Sequence, residues 1–149
     1  MVLGMHDALV ELSGIIAGMT FAVSGNRLIV MTGIIAAAAA SLSMAAANYM
    51  AQRADGRADA FVCAMYTGAM YIATSLCLIL PFCIIHNRFW ALGMMGIVAV
   101  AIIFIFNLCA GGAQSYWRRT LEMLAVCSGV ATASFIIGQL ARNFLGVNI

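Results

Sequence analysis

The sequence has little charge and no lysine. Only 8% of its 149 residues are charged, against roughly a quarter in a soluble domain. Most side chains must therefore face lipid or one another. All seven basic residues are arginine, and the five acids are Asp7, Glu11, Asp55, Asp59 and Glu122. A formal charge of +2 is too small for a nucleic-acid partner. The five cysteines form no CxxC pair and lie in apolar segments. They read as small buried hydrophobes rather than as a metal or redox framework. No basic n-region precedes an apolar run at the N-terminus, and Asp7 and Glu11 stand where that run would begin, so a signal peptide is not expected. A nucleophile–base arrangement, a phosphate loop and an HExxH motif are all missing, which argues against an enzyme.

What fills the space is apolar: 65% of residues are hydrophobic. A membrane-spanning helix needs about 20 mostly apolar residues, and five stretches qualify. The first runs from about His6 to Val23 and the second from about Leu28 to Met50, with Ser24-Gly25-Asn26-Arg27 as the turn between them. The polar run from Gln52 to Asp59 separates the second from a third helix, Ala60 to Ile85, which has Pro81 near its end. His86-Asn87-Arg88 leads into a fourth helix, Phe89 to Ala110, and Gly111 to Arg119 links to a fifth, Thr120 to Leu145. The runs are continuous and too long for barrel strands, which alternate over about 10 residues. The expected fold is an all-α integral membrane protein, a single five-helix transmembrane domain over residues 1–149 with no soluble domain. Short loops make sequential helices antiparallel neighbours.

Arginine placement sets the expected orientation. With the N-terminus in the cytosol, the cytosolic loops hold Arg53, Arg57, Arg118 and Arg119, and the far side holds Arg27, Arg88 and Arg142. Trp90 and Trp117, with Tyr66, Tyr71 and Tyr116, include candidates for the interfacial aromatic belt. His6 and His86 sit near helix ends. Asn107 and Gln139 are polar residues inside helices, suited to bonding a neighbouring helix.

Small residues mark close packing in lipid. The first helix carries a GxxxG at Gly14 and Gly18, and the second carries alanine runs at 36–40 and 45–47. These two helices read as the tightly packed inner pair. The glycines serve equally well within one protomer or between two.

Asp7 and Glu11 are four residues apart and share a face of the first helix. Two such carboxylates repel each other unless a cation or proton lies between them. Acids at membrane depth face protein or a water-filled cavity. The pair is thus a candidate metal or proton site, or else a headgroup-level cap in which Asp7 complements the helix dipole. On the second helix Met44 and Asn48 are also four apart. A thioether with a carboxylate suits a borderline ion such as ferrous iron.

Two segments carry a resemblance to a known family. Residues 7–18 (DALVELSGIIAG) are similar to the first helix of the vacuolar iron transporter family, and residues 42–51 (LSMAAANYMA) to the end of its second helix. Leu80-Pro81-Phe82 and Ile137-Gly138-Gln139-Leu140 fit the third and fifth. The resemblance implies five helices, a cytosolic N-terminus, an outside C-terminus and a homodimer with the first helix at the two-fold axis. It implies export of ferrous iron from the cytosol, often of manganese too, in exchange for protons. Asp7 and Met44 match the family's pathway aspartate and methionine. Two departures stand out. Ala36 occupies the place of a glutamate that many members carry, and Glu11, which resembles a variant of prokaryotic members, is expected to replace that carboxylate. Many members also insert a glutamate-rich cytosolic domain after the second helix, and here Gln52 to Asp59 is the whole connection. Asp55 and Asp59 pair with Arg53 and Arg57 or form a weak metal foothold.

The expected metal site is therefore Asp7, Glu11, Met44 and Asn48, with Fe2+ or Mn2+ as cargo and no permanently bound cofactor. The expected partners are a second copy, the bilayer, divalent ions, protons and a separate iron-handling protein. The brevity of the chain suggests a prokaryotic inner membrane. A membrane module that docks a partner protein without transport, and a simple cation channel, are the rival readings.

Overall fold

The structure, a computed structural model, describes residues 2–23, 25–110 and 116–145. These residues form helices and short turns only. Helix α1 covers residues 2–22 in three parts: an α-helical start at Val2–Asp7, a π-helical turn at Ala8–Leu12 and an α-helical continuation at Ser13–Ala22. The other helices are α2 (Asn26–Ala54), α3 (Ala60–Ile84), α4 (Arg88–Ala110) and α5 (Tyr116–Leu145). Among the described residues, α2 to α5 each contain a stretch long and apolar enough to cross a membrane. Helix α1 is divided by its π turn.

Helix boundaries move by a few residues from the sequence reading. The largest change is at the end of α2, which continues past Met50 to Ala54. Arg53 and Ala54 are good helix formers outside the apolar stretch. The helix stops in a Schellman cap. The Arg57 amide donates to the Gln52 carbonyl and the Gly56 amide to the Arg53 carbonyl, both at 3.1 Å. Gly56 sits at φ +73°, the left-handed position where glycine carries no Cβ penalty. Helix α5 likewise starts earlier than Thr120, at Tyr116. Part of the expected connection, 111–115, lies outside the described residues, as does Ser24 of the first turn. So do the side chains of Cys109, Tyr116, Trp117, Arg119 and Arg142.

The expectation that α1 and α2 form the tight inner pair is overturned. The closest pairs are α2 with α3 and the later part of α1 with α5. The reason lies in where the small residues point. Gly18 faces Gly138 of α5. A Cβ on Gly138 would stand 3.0 Å from the Gly18 carbonyl oxygen, and one on Gly18 would stand 3.2 Å from the Ser134 carbonyl. The GxxxG thus lets α5 approach α1. On α2, Ser41 and Ala45 meet Gly68 of α3, so its small residues serve a different neighbour. Helix α1 changes partner along its length: the segment before Ser13 packs mainly on α3, and the segment after it on α5. Its buried Met5, Leu9 and Leu12 share one apolar core with Tyr71, Leu78, Ile79 and Phe82 of α3.

Polar bonds fasten the ends. Asn26 donates to the Ile85 carbonyl at 2.7 Å, and Arg88 donates to the Val23 carbonyl at 2.6 Å. These join the α1–α2 turn to the α3–α4 turn. Asn107 of α4 donates to Thr120 of α5 at 2.9 Å, the interhelical bond expected of it, whereas Gln139 is exposed. The cysteines depart from the buried role. Cys77 and Cys83 are exposed, and Cys63 and Cys127 are half-buried. A thiol is apolar enough to face hydrocarbon, so lipid replaces the protein core around it.

Replacing Gly138 with leucine should force α5 away from Gly18. Overpacking of this kind costs about 1–3 kcal/mol, and thermal unfolding in detergent should show a lower midpoint than wild type. An unchanged midpoint would mean that the α1–α5 contact is looser than its backbone spacing implies.

Candidate functional site

The four residues singled out in the sequence come together. Asp7, Glu11, Met44 and Asn48 line one open groove of about 450 Å³ between α1 and α2, completed by Leu3, Ala40, Ser43, Ala47 and Ala51. The weak contact between α1 and α2 makes the groove possible, because short α2 side chains leave room where a leucine would close it. Asp7, Met44 and Asn48 are half-buried, and Glu11 is exposed.

Each polar group is held differently. Asp7 ends the first α-helical part of α1, and Glu11 lies within the π turn. The Ser13 hydroxyl bonds the Leu9 carbonyl one turn back, a local bond that competes with the regular helix ladder. π turns inside helices recur at functional sites. Glu11 Oε2 accepts a hydrogen bond from the Tyr71 hydroxyl at 3.0 Å. On α2, Asn48 Nδ2 donates to Thr67 Oγ1 at 2.7 Å and to the Cys63 carbonyl at 3.3 Å. Thr67 gives its own proton to the Cys63 carbonyl at 2.9 Å, so toward Asn48 it acts as acceptor. That network sets the amide with its nitrogen on α3 and its oxygen away from it. Asn48 Oδ1 in turn accepts a hydrogen bond from Gln52 Nε2 at 3.5 Å.

Among the described residues no group of three or more His, Cys, Asp or Glu side chains could hold a metal ion. The groove of one chain gathers two carboxylates, a thioether and an amide side chain. Ala36 is packed against the apolar core and does not line the groove. His6 stacks edge-on against Phe106, with ring centroids 5.6 Å apart.

The loop after α2 is spoken for. Arg57 and Asp59 form a two-bonded ion pair at 3.1 Å, which holds the Asp59 carboxyl below its usual range. The pair persists above that lowered value and is lost only as pH falls through it. Arg53 instead donates to the Tyr49 hydroxyl at 2.5 Å.

Tyr71 was missed by sequence reasoning, which only grouped it with the aromatics that include belt candidates. It is fully buried, unlike Tyr66 and Trp90, which are 52% and 73% exposed. The available signal was the stripe Cys63, Thr67, Tyr71 and Ser75, polar residues four apart that mark one face of α3.

Among the described residues the regular structure is all helical and four helices are long and apolar enough to cross a membrane, which marks a multi-pass membrane protein. Residues 1–60 match the model of the VIT family, so this part of the chain is similar to that family. The match covers α1, α2 and the loop to the start of α3, and so contains all four groove residues. No curated protein gives a significant match to the chain.

Replacing Thr67 with valine keeps the shape and removes the acceptor for Asn48. A loss of about 1 kcal/mol is expected, read as a lower unfolding midpoint in detergent. No change would show that the Cys63 carbonyl alone holds the Asn48 amide.

Proposed function

We propose that this chain exports divalent transition-metal ions, ferrous iron first and manganese second, from the cytosol in exchange for protons. The observation that carries the reading is the gathering of Asp7, Glu11, Met44 and Asn48 in one groove. Carboxylates with a thioether suit borderline divalent ions.

The working unit in this reading is a homodimer with α1 at the two-fold axis. Glu11 is exposed on a single chain, and a carboxylate facing lipid is costly. A second copy covers that face and doubles the ligands, so the site gains up to four carboxylates and two thioethers. Helix α1 is then a fifth crossing, since residues 2–22 span roughly 30 Å at 1.5 Å per residue. The N-terminus lies in the cytosol and the C-terminus outside, in the inner membrane of a prokaryotic cell. The arginines of the α2–α3 loop favour that orientation.

Proton coupling follows from charge. Four close carboxylates in a poorly solvated site cannot all stay ionised without a cation. Metal arriving from the cytosol displaces protons, and protons from the far side displace metal. Asp59 is engaged by Arg57 and contributes little to capture, so metal reaches the groove directly or from a separate iron-handling protein.

The test is anaerobic Fe2+ movement in proteoliposomes with a pH dye inside. Wild type should move iron with counter-moving protons, and the Asp7→Ala, Glu11→Ala double variant should fall below about a tenth of that rate, since losing even an outer-shell partner of a metal ligand costs about 10-fold or more. Iron movement without protons would instead mark a cation channel. No movement by wild type would leave a membrane module that docks a partner.

A further inference from the structure

Tyr71 is fully buried in the core, yet its hydroxyl reaches Glu11, a residue of the open groove. The bond from the phenol to Glu11 Oε2 is 3.0 Å long and joins residues 60 positions apart, from α3 to the π turn of α1. The ring has no freedom to wander: it sits among Leu9, Leu12, Leu78 and Ile79 in the apolar cluster. Glu11, by contrast, is a long flexible side chain on an exposed face. A rigid donor bonded to one carboxylate oxygen restricts the rotamers of the whole side chain and leaves Oε1 outside that bond. Outer-sphere partners of this kind orient metal-binding carboxylates.

We propose that Tyr71 is a positioning residue for Glu11, holding one carboxylate oxygen so that the other is presented to a divalent cation in the groove. The inference rests on the metal-transport reading of that groove. It adds a residue of α3, beyond residues 1–60 that match the family model, to a site otherwise built from α1 and α2. Tyr71 touches Glu11 and not the cation, so its effect should be expressed wholly through Glu11.

The experiment measures Fe2+ transport in proteoliposomes for wild type, Y71F, E11A and the Y71F/E11A pair, with thermal unfolding of each purified protein. Loss of an outer-sphere partner typically weakens metal affinity 10-fold to 100-fold. Y71F should therefore raise the half-saturating Fe2+ concentration about tenfold while keeping its fold and most of its maximal rate. In the E11A background, Y71F should produce no further rise. Four results would overturn the proposal. Y71F could match wild type while E11A does not. Y71F could weaken transport equally with and without Glu11, or lose its fold, which would make the hydroxyl a structural bond. Absence of Fe2+ transport by wild type would remove the underlying reading and this inference together, and is told apart because E11A then has nothing to reduce.

Discussion

The structure turns on the need to keep two carboxylates out of hydrocarbon while they ride on an apolar helix. Asp7 and Glu11 cannot face lipid cheaply, and nothing on α1 itself shields them. Their surroundings answer to that need. Short side chains at Ala40, Ala47 and Ala51 of α2 leave a groove beside them. Tyr71 reaches out of the core to Glu11. The groove remains open because α1 packs closely elsewhere, on α3 and α5, and only lightly on α2.

The helices consequently group by function. The α2–α3 hairpin is joined along its length by small residues and by the Asn48–Thr67 bond. Helix α5 leans on α1 where Gly18 and Gly138 meet. The acids lie on one unit and the thioether and amide on the other, so the site occupies the seam between them. Helix α3 stands behind the seam and touches both sides, through Tyr71 to α1 and through Thr67 to α2.

Much of this was legible in the sequence. The apolar runs define the helices, because hydrocarbon thickness fixes their length and polar residues cannot continue them. The i,i+4 spacings of Asp7 with Glu11 and of Met44 with Asn48 identify shared faces, and those faces do meet. Pairing of helices was not legible. A glycine stripe says that something comes close, but Gly14 and Gly18 carry no mark distinguishing α2 from α5. The role of Tyr71 was hidden for the same reason, since a tyrosine in an apolar run suits an interface or a core equally. The Schellman end of α2 was written in the Asp55-Gly56 pair, yet hydropathy stops at Met50 and obscured the last helical turn. The π turn at Ala8–Leu12 left no trace in the periodicity, being a single irregular turn whose local bonds depend on Ser13.

That π turn has a geometric consequence. Each residue advances an α-helix by about 100°, so a locally widened turn acts as a phase shifter between the two parts of α1. Upstream, the helix addresses α3 and the groove; downstream, its glycine face addresses α5. Deleting one residue between Ala8 and Leu12 would barely shorten the helix. It would let the widened turn close as a regular α turn, with the carboxylates and the glycines keeping their separate neighbours. The π turn thus absorbs a residue that a regular helix would have converted into a rotation.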